Sequence, residues 1–242
     1  RLVVDKTEGN PFFVLQFLSS MEEEGLVVFN AGEGRWRWDV DRIQNTRITG
    51  NVAELVASKL IRLPHLTLEA VKLLACLGSG ASLATLNIVS GKAKRQIVAI
   101  LWEAVQARFL LRVDDGFVFA HDRVQEAAYL LVTATDRPVA HVQIGRALMS
   151  NLTPAGVREH IFEVIDQFGR GLGQVTSDGE REQVAELFLE AGICAKTSVA
   201  YPSALRYFRT GLGLLKPSHW ETRYDLIFAL ELQRAECEYL TG

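Results

Sequence analysis

The sequence predicts a mainly α-helical chain interrupted by two short β-hairpins. Apolar residues recur at helical spacing through most of it, as at Val52, Val56 and Leu60. At two places the period changes to that of strands around a glycine turn, at Gly32-Glu33-Gly34 and at Asp114-Asp115-Gly116. The 242 residues, 48% of them hydrophobic and 23% charged, suffice for two compact units and are not typical of a disordered chain.

The first helix is predicted to begin at Asn10-Pro11 and to end at Gly25. Asn10 is a favoured N-cap residue, proline suits the first helical position, and glycine ends helices. A hairpin of residues 26–29 and 35–40 follows. Trp36 and Trp38 alternate on its second strand and are predicted to pack on one face.

Residues 49–132 show the order of a winged-helix domain. Helices are predicted at 51–64, 67–77, 83–90 and 95–107, and a two-stranded wing at 109–113 and 117–119. An alternative is that this domain binds DNA, because Lys92, Lys94 and Arg95 stand at the start of one helix. The apolar continuation of that helix and the net charge of −3 disfavour DNA binding.

Residues 133–242 are predicted to form antiparallel helical repeats. One repeat fits the tetratricopeptide spacing, with small or aromatic residues where paired helices touch: Gly192, Tyr201, Ala204, Phe208 and Gly211. A second, incomplete repeat is predicted with Ala235 at its eighth position. Because such repeats need neighbours to bury their faces, we expect this region to be a truncated part of a longer array.

Several kinds of active site are excluded by missing motifs. The chain has no GxxxxGK[ST] phosphate loop, no HExxH and no GxSxG, and its five histidines are scattered. We therefore expect no metal site and no enzymatic activity, since Walker A and Walker B are both missing. The Gly169–Gly173 stretch is predicted to be a helix end and a loop.

Localisation is predicted to be cytoplasmic. The three cysteines, Cys76, Cys194 and Cys237, are widely spaced and are expected to be buried, reduced thiols. No apolar run approaches the length of a membrane span, so no membrane or nucleic-acid partner is expected. Both ends of the sequence suggest a piece of a larger protein.

Two short motifs stand out from this background. The first is Thr7-Glu8-Gly9-Asn10-Pro11-Phe12-Phe13, which a turn and a capped helix start would explain. The second runs from Phe119 to Tyr129 and places His121 and Asp122 at a helix start. Asp122 can simply complement the helix dipole, and His121 can cap or pack. Alternatively, free N–H groups and an imidazole at a helix start form an anion site suited to a nucleotide phosphate.

Taken in order, these pieces resemble the second half of a signal-transduction ATPase with numerous domains, the AAA-related STAND class. The similarity is to the predicted-ATPase region of large hybrid serine/threonine and histidine kinases. It rests on five stretches: Gly9-Asn10-Pro11-Phe12-Phe13-Val14, Gly34-Arg35-Trp36-Arg37-Trp38, Asn51-Val52-Ala53-Glu54-Leu55, His121–Tyr129 and Ala235–Gly242.

This resemblance implies a regulatory segment of a nucleotide switch. Residues 1–48 would end an ATPase helical subdomain, with Gly9, Asn10 and Pro11 on the adenine side of an ADP or ATP site. His121 would contact the ADP β-phosphate, and Asp122 would orient its loop. The partners implied are an upstream phosphate-loop domain and a protein or effector on the repeats; alone, the segment is expected to bind no nucleotide tightly. The alternative is an interaction scaffold with no nucleotide role.

Overall fold

The computed structural model describes residues 2–7, 9–45 and 52–241. Within them the fold is mainly α-helical with two small antiparallel sheets, which confirms the predicted fold class. The chain divides into two compact units, residues 1–83 with 94–132 and residues 84–93 with 133–242. The boundary predicted after residue 132 coincides with a boundary between these units, whereas the boundary predicted after residue 48 lies outside the described residues. The three predicted domains stay a prediction.

In the described residues, the first unit contains helices α1 to α5, α7 and α8 and strands β1 to β5. Helix α6, Leu83–Ser90, begins in it and continues in the second unit. The other elements are α1 Leu2–Thr7, α2 Pro11–Glu23, β1 Val27–Asn30, β2 Arg35–Trp38, α3 Val40–Asn45, α4 Val52–Leu60, α5 His65–Leu77, β3 Gly80–Ser82, α7 Lys94–Gln106, β4 Leu110–Val113, β5 Gly116–Phe119 and α8 Asp122–Leu130.

Helix α2 ends at Gly25, as predicted. Gly25 has φ +67° and its N–H donates to the Glu22 carbonyl, while the Leu26 N–H donates to the Met21 carbonyl at 2.8 Å. This is the Schellman ending, in which a left-handed residue lets the chain satisfy the last carbonyls. The turn brings Leu26 back onto Phe17 and Met21, and the three form a small core with Ile43.

The first hairpin pairs β1 with β2 and carries its aromatic residues on one face. Val27 pairs with Trp38 and Phe29 with Trp36, and the Phe29 and Trp36 rings lie 5.3 Å apart at 64°. The two tryptophans therefore share a face, as predicted. That face is open, because Trp36 is 48% and Trp38 63% exposed.

The second hairpin belongs to a three-stranded sheet of order β3-β5-β4 rather than forming an isolated two-stranded wing. Strand β3 pairs Gly80 with Val118 and Ser82 with Gly116. A Cβ on Gly80 would lie 2.6 Å from a Val118 methyl group, and one on Gly116 would lie 2.5 Å from the Ala81 carbonyl oxygen. The sequence did not reveal β3 because Gly80-Ala81-Ser82 has no strand propensity; its small residues instead permit this close approach.

The second unit is helical in its described part. Its elements are α9 Asp136–Asn151, α10 Pro154–Glu159, α11 Ile161–Gly169, a short 3-10 helix Leu172–Gln174, α12 Asp178–Thr197, α13 Tyr201–Leu214, α14 His219–Thr222 and α15 Tyr224–Thr241. His160 separates α10 from α11 and Arg223 separates α14 from α15, because both residues leave the helical region of φ and ψ. None of the described helices combines the length and apolar character needed to cross a bilayer.

Helices α12 and α13 touch through the small residues predicted for that contact. Gly192, Ala204 and Gly211 are buried, and the Phe208 ring lies where a Cβ on Gly192 would be only 2.2 Å away. Gly211 faces Leu230 of α15 in the same manner, since a Cβ on Gly211 would lie 3.1 Å from a Leu230 methyl group. The α12 backbone at Gly192 therefore packs directly against the Phe208 ring of α13, and only a residue without a side chain permits this distance.

A polar pair is buried between α9 and α11. His141 Nδ1 lies 2.7 Å from Gln167 Oε1, so the ring donates and the amide oxygen accepts. Burial lowers the pKa of His141, although the hydrogen bond to Gln167 raises it in part. The folded unit therefore favours the neutral imidazole of His141.

The Gly192–Phe208 contact predicts a large difference between two glycine substitutions. Gly192→Ala should lower the free energy of unfolding by about 1–3 kcal/mol, because the added methyl group overlaps the Phe208 ring. Gly213→Ala in α13 meets open space and should raise stability by about 0.5–1 kcal/mol, since alanine favours helices. Urea unfolding measures both, and equal effects would disprove the close approach.

Cysteine exposure leads to a second prediction and a correction. Cys76 and Cys237 are buried as predicted, but Cys194 is exposed on α12. Burial raises the pKa of the Cys237 thiol, which leaves little reactive thiolate. A chromogenic disulfide reagent should therefore modify one thiol quickly and two slowly, and Cys194→Ser should remove the fast phase. Three equal rates would contradict this assignment.

Candidate functional site

The first predicted motif forms the turn between α1 and α2. Gly9 is left-handed, with φ +72°, and the Asn10 N–H donates to the Thr7 carbonyl at 3.0 Å. The Asn10 carbonyl accepts the first helical hydrogen bond, from Val14, so Asn10 occupies the predicted N-cap position. Pro11 opens α2 and is exposed. Glu8 lies outside the described residues.

The second motif forms the start of α8. His121 is its N-cap residue, with extended backbone (φ −158°, ψ 148°), and its Nδ1 accepts from the Arg123 N–H at 3.1 Å. Asp122 in the first turn also accepts from that N–H, at 2.8 Å, and its carboxylate contacts His121 Nδ1. Asp122 is 83% exposed, whereas the His121 side chain is 27% exposed.

The structure brings the two motifs together within the first unit. Asn10 Nδ2 lies 3.2 Å from His121 Nε2, although the residues are 111 positions apart in the chain. The Phe13 ring lies 5.1 Å from the His121 ring at an angle of 47°. Gly9 and Pro11 flank Asn10, so all four predicted nucleotide residues belong to one local region.

Phe13 completes this cluster as a residue for which no role was predicted. It is 8% exposed and forms the apolar wall against which His121 packs. An aromatic wall limits the rotamers open to the imidazole and keeps Nε2 pointed at Asn10. The signal was in the motif itself, because Phe13 lies three residues after the N-cap and so near the start of the same helix.

Two proton arrangements satisfy the His121 ring. In one, Nδ1–H donates to the Asp122 carboxylate while Nε2 accepts from the Asn10 amide. In the other, Nδ1 accepts from the Arg123 N–H, and Nε2–H donates to the amide oxygen of a flipped Asn10. Only the second arrangement presents an Nε2–H, which is the form that can donate to a phosphate oxygen.

The rest of the second motif fixes α8 on its neighbours. Val124, Ala127 and Ala128 are buried, and Gln125 Nε2 donates to the Ala75 carbonyl of α5 at 3.1 Å. These contacts hold the start of α8, and with it His121, at a fixed position beside α2.

DNA contact through α7 stays an alternative prediction, and Arg95 at the start of that helix is exposed. Its inward residues Ile97, Leu101 and Ala104 are buried, and its exposed residues include Trp102 and Glu103. Lys94 pairs with Asp115 of the wing turn at 3.3 Å. In the described part of the chain, no group of three or more histidine, cysteine or acidic residues is arranged to hold a metal ion.

Replacing Asn10 tests the contact between the two motifs. Asn10→Ala removes the amide partner of His121 and should lower the free energy of unfolding by about 1 kcal/mol. It should also shift the His121 imidazole NMR resonances while leaving those of His65, at the exposed start of α5, in place. Unmoved His121 resonances would show that the two motifs do not touch.

Comparison with known proteins gives one distant similarity. The chain is 25% identical over an alignment of 304 positions to "Hybrid signal transduction histidine kinase G" of Dictyostelium discoideum. The alignment covers 100% of this chain but 9% of that relative, so the chain corresponds to a small part of a much longer protein. No protein-family model matches the sequence, and no solved structure matches it. The similarity agrees with a role in signal transduction.

Proposed function

We propose that this chain is the regulatory part of a nucleotide-switch signalling protein of the STAND ATPase type. In this proposal Gly9, Asn10, Pro11 and His121 line one side of an ADP or ATP site. A phosphate-loop domain outside this chain supplies the remaining contacts. The observation that carries the proposal is the approach of Asn10 to His121 at 3.2 Å across 111 positions of sequence.

Each residue has a role that its chemistry allows. The exposed Pro11 ring offers an apolar edge for an adenine face, and Gly9 keeps the chain next to it free of side chain. His121 Nε2–H can donate to a β-phosphate oxygen in place of Asn10. Asp122 and the Arg123 N–H hold the opposite side of the ring. The imidazole would thus exchange an amide for a phosphate when nucleotide binds.

The proposed switch has two states. With ADP bound, the start of α8 is tied through His121 to the nucleotide; exchange for ATP releases it. A ligand shifts such an equilibrium only through different affinities for the two states, and His121 supplies that difference. In this proposal residues 49–132 form a winged-helix domain, and the wing hairpin with α7 and α8 moves as one piece.

The second unit is proposed to be a tetratricopeptide-like array that binds a protein partner or effector. The support is the close packing of α12 on α13 through Gly192 and Ala204. Binding of that partner would shift the equilibrium between the two states of the switch. The segment alone is proposed to have no ATPase activity, since two peripheral contacts provide neither a magnesium site nor a group that positions water.

A scaffold without any nucleotide role is the second candidate. It is favoured by an aromatic ridge on α14 and α15. Trp220, Tyr224 and Phe228 are 44%, 55% and 50% exposed, and the last two rings stack at 5.7 Å. Such exposed apolar ridges mark protein contacts. The two candidates differ in whether His121 matters to signalling.

The test uses the protein that joins this chain to its phosphate-loop domain. His121→Leu should weaken ADP binding about tenfold or more, the effect of losing one hydrogen bond to a charged group, and raise basal signalling. His65→Leu is the matched control, because His65 is an exposed histidine of the same unit outside the site. The measurements are ADP dissociation by stopped flow with a fluorescent analogue and output activity.

Two outcomes would contradict the proposal. One is equal ADP retention by wild type, His121→Leu and His65→Leu. The other is tight, saturable ADP binding by this chain alone, because the two peripheral contacts would then not need a phosphate-loop domain.

A further inference from the structure

A second site lies in the first unit, apart from the residues proposed to bind nucleotide. It is a cleft of about 430 Å³ formed by α2, the end of α4 and the chain that follows α7. Its charged lining residues are Glu23, Lys59, Arg62 and Arg108, and its apolar walls include Leu15 and Leu63. None of Gly9, Asn10, Pro11 and His121 lines it.

Lys59 is held in this cleft with little access to water. Its side chain is 11% exposed, and Nζ donates to the Gln16 carbonyl at 3.2 Å and to Glu23 Oε1 at 3.4 Å. Arg62 Nη1 lies 3.7 Å from the other oxygen of Glu23. One carboxylate therefore serves two cations.

Arg108 is the third cation and the least expected one. It follows α7 at φ +60°, with its N–H donating to the Val105 carbonyl and the Phe109 N–H to the Ala104 carbonyl, both at 2.9 Å. This is the left-handed position of a Schellman ending, where glycine is preferred and a side chain costs stability. Among the described residues, none pairs with the Arg108 guanidinium or accepts a hydrogen bond from it.

The charges leave the cleft with an excess of two positive charges, since three cations face one carboxylate. A phosphate monoester carries about −1.5 to −2 charges at neutral pH and offers three acceptor oxygens, which suits a planar guanidinium beside an ammonium group. The cleft lies within the usual size range of small-molecule sites, and Leu15 and Leu63 can contact an organic group.

We propose that this cleft binds the dianion of a small phosphate monoester, with Arg108 as its principal ligand. Arg62 and Lys59 supply the surrounding positive charge, and Glu23 keeps Lys59 in place. Glycine would relieve the left-handed backbone at Arg108 but would remove the guanidinium that this ligand contacts. The site does not depend on the proposed nucleotide role, and the test below uses no nucleotide.

The test is a calorimetric titration of the whole chain with phenyl phosphate. It is carried out at low salt and at a pH above the second pKa of the phosphate group, where the ligand is a dianion. Wild type should bind saturably, and added salt should weaken binding. Arg108→Gly should weaken binding about tenfold or more, as expected for loss of a charge-assisted hydrogen bond. Its melting temperature should stay equal or rise, because glycine relieves the left-handed backbone.

Two control variants separate charge from backbone. Arg112→Ala removes an exposed arginine of β4 outside the cleft and should leave affinity unchanged. Val199→Gly makes the same backbone change at another left-handed helix end, φ +61°, and should raise stability without affecting binding.

Three results would overturn the proposal. The first is no saturable binding of phenyl phosphate. The second is binding of inorganic phosphate or of succinate that is as tight as binding of phenyl phosphate. Equal binding of inorganic phosphate would mean that the cleft does not recognise the organic group, and equal binding of succinate would mean that it does not recognise the phosphate. The third is unchanged affinity in Arg108→Gly.

Discussion

The contact between Asn10 and His121 is the constraint on which the first unit's functional interpretation depends. Either residue alone has an ordinary explanation, a helix cap in each case. Their approach at 3.2 Å requires α2 and α8 to start side by side, which the burial of Val124, Ala127 and Ala128 and the Gln125 bond to α5 enforce. Buried apolar contacts thus fix where α8 starts relative to α2, and this placement brings Asn10 within hydrogen-bonding distance of His121.

The same contact sets what His121 can do. Its ring has Phe13 on one face, Asn10 at Nε2, and both Asp122 and the Arg123 N–H at Nδ1. The Asp122 carboxylate favours the tautomer with a proton on Nδ1, whereas the Arg123 N–H favours the tautomer in which Nδ1 is an unprotonated acceptor. The two tautomers of His121 therefore compete. An anion at Nε2 would favour the tautomer that donates to it. In the proposed site, the local hydrogen bonds would therefore allow the ring to respond to a phosphate without moving its backbone.

Sequence periodicity located most helices because their buried faces repeat every three to four residues, and it located Asn10 and His121 because helix starts have local signatures. It could not locate features that depend on tertiary contact. Strand β3 exists because Gly80 lets another strand approach, and the exposure of Cys194 depends on which face of α12 is covered. The pairing of Asn10 with His121 and the cleft around Lys59 join segments far apart in the chain, which no local pattern records.

A left-handed backbone conformation at a residue other than glycine lowers the stability of the fold. Arg108 and Val199 end α7 and α12 with the same pair of backbone hydrogen bonds, at φ +60° and +61°. Glycine would serve the backbone better at both positions, yet only Arg108 adds a cation with no partner among the described residues to a cleft that already holds Lys59 and Arg62. Val199 is 67% exposed and carries no charge. The strained backbone at Arg108 therefore coincides with the proposed ligand contact of its side chain. At Val199 the same backbone strain has no such contact beside it, and this difference distinguishes the two residues.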